Sequence, residues 1–590
     1  MKRCPECGRE YDNTMMFCLD DGAELLYGPA KSEPGAVATG FLSSDDEPAT
    51  AILHSTAAPG EAATRAQIHV TDQTAILPRG AEAEPQKPLD EATEKRSFSA
   101  NRAAKPLAGV IVAVVILVGG FFGYRYVTQT KQINSIAVMP FVNESGNADF
   151  DYLTDGMTDT LISSLSQMPN LSVKAHTSVF RYKGKSELPK TIASELNVQA
   201  ILNGRVSERG DQLTVSLELI DPQTESVLWS EKYDRKEGDL VSLEKEIAVD
   251  VSNKLKSRLT GADEQRVAKT YTTNTEAYQL YLKGRFYWNQ RNAASLKKAA
   301  EYFQQAIDKD PTYALAYSGL ADSYALLPSY SGGRPEEYFP KAKAAALKAI
   351  QLDDNLAEAH TSLANILISF EWNIADSTRE FKRAIELNPN YATAHHWYSD
   401  GPLLATRQFD ESIAEMKRAQ EIDPLSLIIN GELGANYTYA GQYDAAIEQL
   451  RKTIQMDDSF YYAHWNLGTA YRLKGQYSQA IAEYQTAFRL AGDPSVLSMI
   501  GEAQAASGDR AAALKTLADM KDRAKKEYVP SFAMAQLYGA VGDKDEAFRK
   551  LEEAYRTHAI ELQLIKVDPM LNSLRGDPRL DDLTKRIFKE

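Results

Sequence analysis

The sequence predicts a multidomain chain of 590 residues whose C-terminal half is an all-α solenoid of helical hairpins, preceded by a small α/β domain. Two observations carry this prediction. A sequence pattern recurs about every 34 or 35 residues from residue 275 onward, and apolar strand-like runs alternate with amphipathic helical runs over 132–260. A chain of this length also exceeds what one hydrophobic core organises, so linkers between domains are expected.

Composition limits the possible functions. The net charge is −15, whereas a nucleic-acid-binding body needs a dense positive surface, so we expect no nucleic-acid binding by the main body. All three cysteines lie within the first 18 residues. The rest of the chain can therefore tolerate an oxidising compartment without mispairing.

The first segment, residues 1–27, contains CPECGREYDNTMMFCLDDG. Cys4 and Cys7 form one knuckle and Cys18 begins a second, a spacing that resembles a zinc ribbon. Asp21 stands where the ribbon pattern has its fourth cysteine and could supply an oxygen ligand. The segment therefore predicts a zinc site, the alternative being a ribbon without metal that serves as a folded cap or docking module.

Residues 28–104 are rich in Ala, Pro, Glu and Thr and lack Trp and Tyr, a composition that predicts a disordered linker. The string TAIL occurs twice in it, starting at Thr50 and at Thr74. A threonine followed three residues later by leucine resembles the phosphothreonine motif that forkhead-associated domains read. Thr50 and Thr74 are candidate phosphosites, the alternative being coincidence in an Ala- and Thr-rich segment.

Residues 106–127 are predicted to form one transmembrane helix, because PLAGVIVAVVILVGGFFGY is free of charge and ends in aromatic residues. A buried soluble helix is the alternative. Lys and Arg are more frequent before this run than after it, which places the N-terminus in the cytoplasm. The sequence therefore predicts a single-pass inner-membrane protein whose C-terminal domains are exported to the periplasm.

Residues 132–260 predict a compact α/β domain. The run SIAVMPF from Ser135 reads as a strand, and the stretch from Phe150 places Leu153, Met157, Leu161 and Leu165 on one helical face. The remaining predicted elements are a strand LSVKA from Leu171, a helix over 188–196, a strand pair turning at 209–211, a strand VLWSEKYD and a closing helix over 240–259.

Several of these stretches resemble a known domain. The motifs are SIAVMPFVNESG, DYLTDGMTDTLISSLS, SVKAHTSVFRYKG, ILNGRV and LWSEKYDR. They resemble the domain related to the N-terminal part of TolB and to the flagellar protein FlgO. The resemblance implies a domain that, in bacteria, often precedes helical repeat arrays in adenylate-cyclase-like, kinase-like and transcriptional-regulator proteins.

The repeats occupy 275–569 and are followed by a C-terminal tail, 570–590. Successive copies end at Pro311, Asp354, Pro389, Pro424 and Asp458, in steps of 43, 35, 35 and 34 residues. The copy from Tyr461 has Leu467, Gly468, Tyr471, Ala480, Tyr484 and Ala487 where tetratricopeptide (TPR) repeats have Leu, Gly, Tyr, Ala, Phe and Ala. The array therefore resembles a TPR solenoid of about eight helix pairs, with an insertion around Gly332 that is expected to protrude.

The first helix of each TPR pair lines a groove that holds extended or helical peptides. By this register the candidate partner-binding residues are Trp397, Tyr462, Trp465 and Arg472. Large aromatic side chains in a groove are typical binding anchors. The alternative is that both tryptophans pack between helices.

No carrier of catalysis is visible in the sequence. The only GKS, at Gly184–Ser186, has Val179 where a phosphate-binding loop needs its first glycine, and no zinc-protease, nucleophile-elbow or kinase motif is present. His360, His396 and His464 lie near the starts of three first helices and are expected to pack between helices rather than to bind a metal. We therefore expect a protein that is not an enzyme.

Taken together, the sequence predicts a membrane-anchored TPR scaffold that mediates protein–protein interaction at the bacterial cell envelope. The alternative is a signal-transduction receptor whose exported TolB-like and TPR body senses a partner and acts through the cytoplasmic ribbon or linker. The partner-binding and membrane-spanning segments are shared by both readings.

Overall fold

The computed structural model describes residues 133–589 except 169, 256–259 and 332–333, together with three short strands near the N-terminus. These strands, β1 (Lys2–Arg3), β2 (Glu10–Tyr11) and β3 (Leu26–Tyr27), form an antiparallel sheet in the order β2-β1-β3. The candidate zinc ligands Cys4, Cys7, Cys18 and Asp21, the candidate phosphosites Thr50 and Thr74, the linker and the predicted membrane helix lie outside the described residues.

The described helices bear on the predicted inner-membrane location. None of the helices in the part of the chain that the structure describes combines the length and apolar character that a membrane span requires. The predicted single-pass location is corrected accordingly, and the predicted span at 106–127 is itself outside the described residues.

The α/β domain is built on one mixed sheet in the order β6-β4-β7-β8-β9. Its strands are β4 (Ser135–Val138), β5 (Val142–Asn143), β6 (Ser172–Val173), β7 (Ala200–Arg209), β8 (Gln212–Asp221) and β9 (Ser226–Lys236). Strand β4 runs parallel to β6 and β7, whereas β7, β8 and β9 form an antiparallel meander, and β5 pairs with β7. The predicted turn between β7 and β8 is present, with Gly210 at φ +67° as a tight hairpin requires.

Helices cover this sheet, three of them where the sequence predicts them. These three are α1 (Asp151–Ser166), α3 (Pro189–Leu196) and α4 (Leu240–Leu255). The short α2 (His176–Phe180) was not predicted, and α5 (Gly261–Val267) leads to the array. The predicted apolar face of α1 is buried, with Leu153, Met157, Leu161 and Leu165 each almost fully excluded from solvent. The spacing of three or four residues places these four side chains on the sheet side of the helix.

The described residues from 275 onward hold eight consecutive helical hairpins, which is a TPR solenoid. The pairs are α6 (Thr275–Asn289) and α7 (Ala293–Lys309); α8 (Ala314–Ser331) and α9 (Pro335–Leu352); α10 (Ala357–Ser369) and α11 (Ile374–Leu387); α12 (Ala392–Tyr398) and α13 (Phe409–Ile422); α14 (Leu427–Tyr439) and α15 (Tyr443–Met456); α16 (Tyr461–Leu473) and α17 (Tyr477–Ala491); α18 (Pro494–Ala506) and α19 (Arg510–Arg523); α20 (Ser531–Ala540) and α21 (Lys544–Arg556). A π-helical turn, Ser399–Leu403, extends α12.

The hairpins approach closely because glycines on first helices face large side chains of second helices. A Cβ added at Gly284 or at Gly319 would lie 2.5 Å from the ring of Phe303, which is fully buried between these two first helices. The same contact recurs between Gly468 and Tyr484, at 2.7 Å. The glycine and aromatic positions of the repeat therefore form one steric unit, and neither residue type can be enlarged alone.

Two features differ from the sequence prediction. The long first step between repeats does not hold a protruding loop through its whole length, because its extra residues lengthen α8 and α9 to 18 residues each. The predicted tail, 570–590, contains the helix α22 (Pro578–Phe588), whose Leu580, Leu583 and Ile587 are buried against the end of the array. The array is thus capped by an additional helix beyond its last hairpin.

The array also turns back on itself. Trp372, between α10 and α11, stacks on His558 with ring centroids 4.9 Å apart and on Tyr555 with centroids 5.5 Å apart. His558 follows α21, and its Nδ1 lies 3.1 Å from the backbone oxygen of Phe370. The end of the eighth hairpin therefore packs against the third.

Histidines join the two helices of a hairpin to the turn that precedes it. In His464, Nδ1 lies 2.7 Å from Glu483 Oε2 and Nε2 lies 3.1 Å from the backbone oxygen of Asp458, so both ring nitrogens face acceptors. Two oxygen acceptors require an imidazole that donates from both nitrogens, which is its protonated form. The hydrogen bond to Glu483 accordingly raises the pKa of His464 despite burial.

The same bridge recurs at His360 and at His395, six residues after the preceding repeat boundary. The sequence prediction placed His396 in this series; the structure places His395 there, and His396 points elsewhere. In the following repeat Asn430 takes the position, and its Nδ2 donates to the backbone oxygen of Pro424 at 2.9 Å. Asn430 therefore keeps the hydrogen bond to the turn carbonyl but carries no charge.

We expect His464→Ala to lower the free energy of unfolding by about 1–2 kcal/mol at pH 6. His464→Asn should lose less, because the amide can keep the bond to the turn carbonyl as Asn430 does. The folded pKa is raised, so the contribution is complete below the unfolded pKa of about 6.5 and is lost as the pH rises through the folded pKa. Urea unfolding at pH 6 and pH 9 measures this, and an equal loss at both values would contradict the charged bridge.

Candidate functional site

The α/β domain docks on the turns that connect successive repeats. Its segment 166–181 runs along three consecutive turns, at 388–390, 421–425 and 456. The hydrogen bonds are Asn388 Nδ2 to Ser166 Oγ (2.9 Å), Asn390 Nδ2 to the backbone oxygens of Ser166 and Leu171 (3.0 Å each), Lys174 Nζ to the backbone oxygen of Glu421 (2.5 Å), Ser178 Oγ to Asp423 Oδ1 (2.5 Å) and Arg181 to the backbone oxygen of Met456 (3.1 Å). Turn carbonyls and side chains that water would otherwise solvate thus form a polar interface.

Helix α1 of this domain also packs on α6, the first helix of the array. The contact is close at Gly156, where an added Cβ would lie 2.9 Å from Leu282 Cβ. One turn further along α1, Asp159 Oδ2 accepts a hydrogen bond from Arg285 Nε at 2.9 Å, and both side chains are largely buried. Burial alone would raise the pKa of Asp159, but Arg285 and then His176 hold it below its ordinary value.

A cavity of about 360 Å³ lies between α1 and the first helices of the array. Its volume is within the range of pockets that hold small molecules. The α/β domain contributes Asp159, Ser163 and His176 to its wall. The array contributes mainly Arg285, Trp288, Arg291, Tyr391, His396 and Trp397.

Trp288 is held between two arginines at one end of this cavity. The guanidinium carbon of Arg285 lies 4.4 Å from the Trp288 ring centroid, and that of Arg291 lies 3.6 Å from it. Arg285 is neutralised by Asp159, whereas Arg291 has no ion-pair partner among the described residues. Burial lowers the pKa of Arg291, and the nearby charge of Arg285 lowers it further.

His396 lies on the same wall and stays neutral. Burial, followed by the charge of Arg291, lowers its pKa to about 4. The neutral ring offers one donor and one acceptor nitrogen to the cavity. This role differs from that of His360, His395 and His464, which are bridged to carboxylates.

The structure separates the four predicted groove residues. Trp397 lines the cavity beside the α/β domain. Tyr462 and Trp465 are neighbours on α16, with ring centroids 6.0 Å apart in an edge-to-face arrangement. Arg472 Nη2 lies 3.1 Å from Glu502 Oε2, so Arg472 forms an ion pair within the array.

Tyr462 leads to a second polar feature, a pair of buried carboxyl groups. Its hydroxyl donates to Glu432 Oε1 at 2.8 Å. Asp400, in the π-helical turn after α12, is a close electrostatic neighbour of Glu432. Burial raises the pKa of Asp400, and burial together with the charge of Asp400 raises the pKa of Glu432. Two adjacent carboxyl groups in such a site cannot both be ionised without a large electrostatic cost.

Sequence reasoning did not find the arginines at the cavity. Arg285 and Arg291 belong to the stretch RFYWNQRN at the end of α6, and the only signal there was two arginines flanking a tryptophan at helical spacing. The opposing carboxylate, Asp159, comes from a different domain, so no local pattern connects it to Arg285. Within the described residues, no group of three or more His, Cys, Asp or Glu side chains could hold a metal ion.

Two family models match the chain. Residues 131–249 match the second domain of the HilA/YgeH-like transcriptional regulators, and residues 461–494 match the tetratricopeptide repeat. The chain is therefore a TPR-repeat protein with a preceding α/β region. The resemblance of this region to TolB and FlgO stays a prediction, because the matching model is that of the HilA/YgeH-like domain.

Among curated proteins, the chain is similar to a putative adenylate cyclase 3 of Rhizobium meliloti (strain 1021). The two are 32% identical over 233 residues, which is 39% of this chain and 39% of the relative. The chain thus matches well under half of that protein.

Three solved structures illustrate the structural similarity. YrrB, a TPR protein with an unusual peptide-binding site, is 21% identical over 33% of this chain and 96% of its own, with a TM-score of 0.25. PilF of Pseudomonas aeruginosa is 18% identical over 37% and 94%, with a TM-score of 0.29. The anaphase-promoting-complex tetramer Cut9–Hcn1 is 16% identical over 59% and 63%, with a TM-score of 0.37.

The α1–α6 contact predicts the effect of a single methyl group. Gly156→Ala should weaken docking of the α/β domain, because the new Cβ would overlap Leu282 in a close-packed contact, at a cost of about 1–3 kcal/mol. Faster amide exchange in α1 and in segment 166–181 would report the loss. Gly261→Ala is the matched control, since an added Cβ there meets nothing within 4 Å. Equal exchange in both variants would contradict the packing argument.

The carboxyl pair predicts a stabilising substitution. The folded pKa of Asp400 is raised, so its ionised form destabilises the fold at high pH, and stability increases as the pH falls through that pKa. Asp400→Asn should therefore raise the free energy of unfolding by about 1 kcal/mol at pH 8, and this gain should disappear near pH 4. Urea unfolding measures both values, with the exposed Asp308→Asn as control. A loss of stability at pH 8 would contradict the assignment.

Proposed function

We propose that this TPR-repeat protein is a binding scaffold that holds a segment of a partner protein along Ile428 of α14 and the aromatic residues of α16. Protein–protein interaction is the general role of TPR arrays, and the proposal names the surface of this array that binds the partner. We define the aromatic strip as Ile428, Tyr461, Tyr462 and Trp465.

The observation that carries this proposal is the partial exposure of the strip on first helices. Ile428 is 41% exposed, and Tyr461, Tyr462 and Trp465 are half-buried. Their rings meet edge to face, Tyr461 with Tyr462 at 6.4 Å and Tyr462 with Trp465 at 6.0 Å. Rigid aromatic side chains that are already oriented lose little conformational entropy when a partner binds, which is why they act as anchors.

The docked α/β domain limits where a partner can bind. It occupies the turns at 388–390, 421–425 and 456, and its cavity includes Trp397. The strip begins at the edge of that cavity, where Ile428 is part of the lining. A partner on the strip would therefore lie next to the α/β domain, and we propose that this domain sets one end of the binding surface.

Binding without catalysis is part of the proposal. The carboxylates at the cavity are engaged: Arg285 and His176 pair with Asp159, Ser163 donates to Glu358 at 3.4 Å, and Ser178 donates to Asp423. The Ser178 hydroxyl that donates to Asp423 also accepts from the backbone N–H of Leu425, which holds this hydroxyl in the turn. These hydrogen bonds and ion pairs support a structural role for the carboxylates, which hold neighbouring groups in place.

A second candidate is a regulator in which capture of a partner by this body acts through the N-terminal segment. The similarity of residues 131–249 to a domain of transcriptional regulators, and of part of the chain to a putative adenylate cyclase, favours it. On this reading, a zinc ribbon at Cys4, Cys7, Cys18 and Asp21 would be the docking module for the output. Zinc content of the purified chain, and its loss on Cys4→Ser, would test that part.

The scaffold predicts that a double change in the strip abolishes partner capture. Tyr461→Ala with Trp465→Ala should reduce crosslinking of the partner at least tenfold, because both anchors are removed. The measurement is photo-crosslinking in cells with a photoreactive phenylalanine at position 428, followed by identification of the adduct.

The matched control is Leu490→Ala with Leu514→Ala, which removes apolar side chains 41% and 42% exposed on the second helices α17 and α19. Crosslinking should be unchanged in this control. An equal loss in both double variants, or an adduct that survives the strip change, would exclude the strip as the partner site.

A further inference from the structure

The cavity between the α/β domain and the array contains a cation that the protein itself does not neutralise. Arg291 lies directly after α6, and the described residues include no carboxylate paired with its guanidinium. Its contact is the face of Trp288, at 3.6 Å. Arg291 is half-buried, and a guanidinium without an ion pair leaves its N–H donors available to an anionic ligand.

The neighbouring carboxylates Asp159 and Asp322 already have other partners. Asp159 is paired with Arg285, and Asp322 accepts a hydrogen bond from Ser362. Asp322 is a carboxylate with an electrostatic effect on Arg291, and burial raises the pKa of Asp322 to about 6. Glu358, which lines the cavity, accepts a hydrogen bond from Ser163. None of the described carboxylates forms an ion pair with the guanidinium of Arg291.

A second, independent observation concerns Trp288. Its indole Nε1–H is buried and has no acceptor in the part of the chain that the structure describes, and the side chain is only 4% exposed. A buried N–H without an acceptor destabilises a fold by about 1–3 kcal/mol. Both unsatisfied donors, one charged and one neutral, belong to residues that line the same cavity.

We propose that this cavity binds a small organic anion whose oxyanion group pairs with Arg291 and whose carbon skeleton packs on the aromatic wall formed by Tyr391 and Trp397. A guanidinium binds a carboxylate or phosphate through two parallel hydrogen bonds, and this geometry suits a planar oxyanion. The neutral ring of His396 provides a further donor to the same ligand. A divalent cation would meet a charge of its own sign at Arg291 and is not the expected occupant.

The position of the cavity gives the ligand a structural consequence. Its wall combines Ser163 and His176 of the α/β domain with first helices of the array, so an occupant contacts both. Binding therefore stabilises the docked arrangement of the α/β domain on the repeats. This inference does not depend on the aromatic strip, because the test leaves the residues of the strip unchanged.

The experiment uses the full chain and three probes at constant ionic strength, which are inorganic phosphate, benzoate and AMP. Thermal unfolding and isothermal titration are measured for the wild type, Arg291→Gln and Trp288→Phe. We expect saturable binding of at least one probe, with the melting temperature raised by about 3–6 °C at a concentration near one hundred times Kd. Binding of phosphate but not benzoate would identify a phosphate oxyanion, and binding of benzoate but not phosphate would identify a carboxylate. Binding of AMP but not phosphate would show that the ligand needs an aromatic group.

The variants separate binding from folding. Arg291→Gln should weaken binding of that probe at least tenfold while the melting temperature without ligand stays within about 2 °C of the wild type or rises. Trp288→Phe keeps a smaller aromatic ring but removes the N–H, and it should weaken binding by about threefold to tenfold. Arg549→Gln, an exposed arginine on α21, should bind like the wild type.

Two results would overturn the proposal. One is binding of the probe to Arg291→Gln with unchanged affinity, which would place the anion elsewhere. The other is the absence of binding by all three probes to the wild type, together with native mass spectra of the freshly purified chain that show no bound small molecule. Either result would leave Arg291 as a structural residue stacked on Trp288.

Discussion

The array depends on the close approach of neighbouring helices, and this approach depends on pairs of very small and very large side chains. A helical hairpin alone exposes one apolar face, and only the next hairpin can cover it. Phe303 shows how this is achieved, because it is fully buried only where Gly284 and Gly319 have no side chain. Every functional surface described above, including the cavity and the aromatic strip, is positioned by helices held at that distance.

The repeat boundaries have a second role beyond connecting helices. Each boundary presents backbone oxygens in a fixed direction, and the protein uses them twice. Inside the array they accept from His360, His395, His464 or Asn430, and outside it they accept from Lys174 and Arg181 of the α/β domain. The polar edge of the solenoid therefore supplies the hydrogen bonds that hold the preceding domain, beside the apolar contact of Ala175 with the buried cluster that includes Ile413 and Ile429.

Much of this architecture follows from the sequence because it is encoded locally. The 34-residue period gives the eight hairpins, the four leucine and methionine positions give the buried face of α1, and Gly210 marks the β7–β8 turn. The cavity could not be predicted, because Asp159 and Arg285 are 126 positions apart and meet only when the domain docks. The repeat pattern also could not distinguish His395 from His396. Adjacent residues on a helix point about 100° apart, so a shift of one position changes the role of the side chain.

The stacking of Trp372 on His558 has a consequence for how this array folds and evolves. An open solenoid behaves as a one-dimensional chain in which each repeat interacts with its neighbours, so that terminal repeats fray first and repeats are added or deleted freely. Here the end of the eighth hairpin packs against the third, which joins distant parts of the chain in one cooperative unit. Inserting or deleting one repeat between them would displace His558 from Trp372, so the number of repeats in this interval is fixed by the contact.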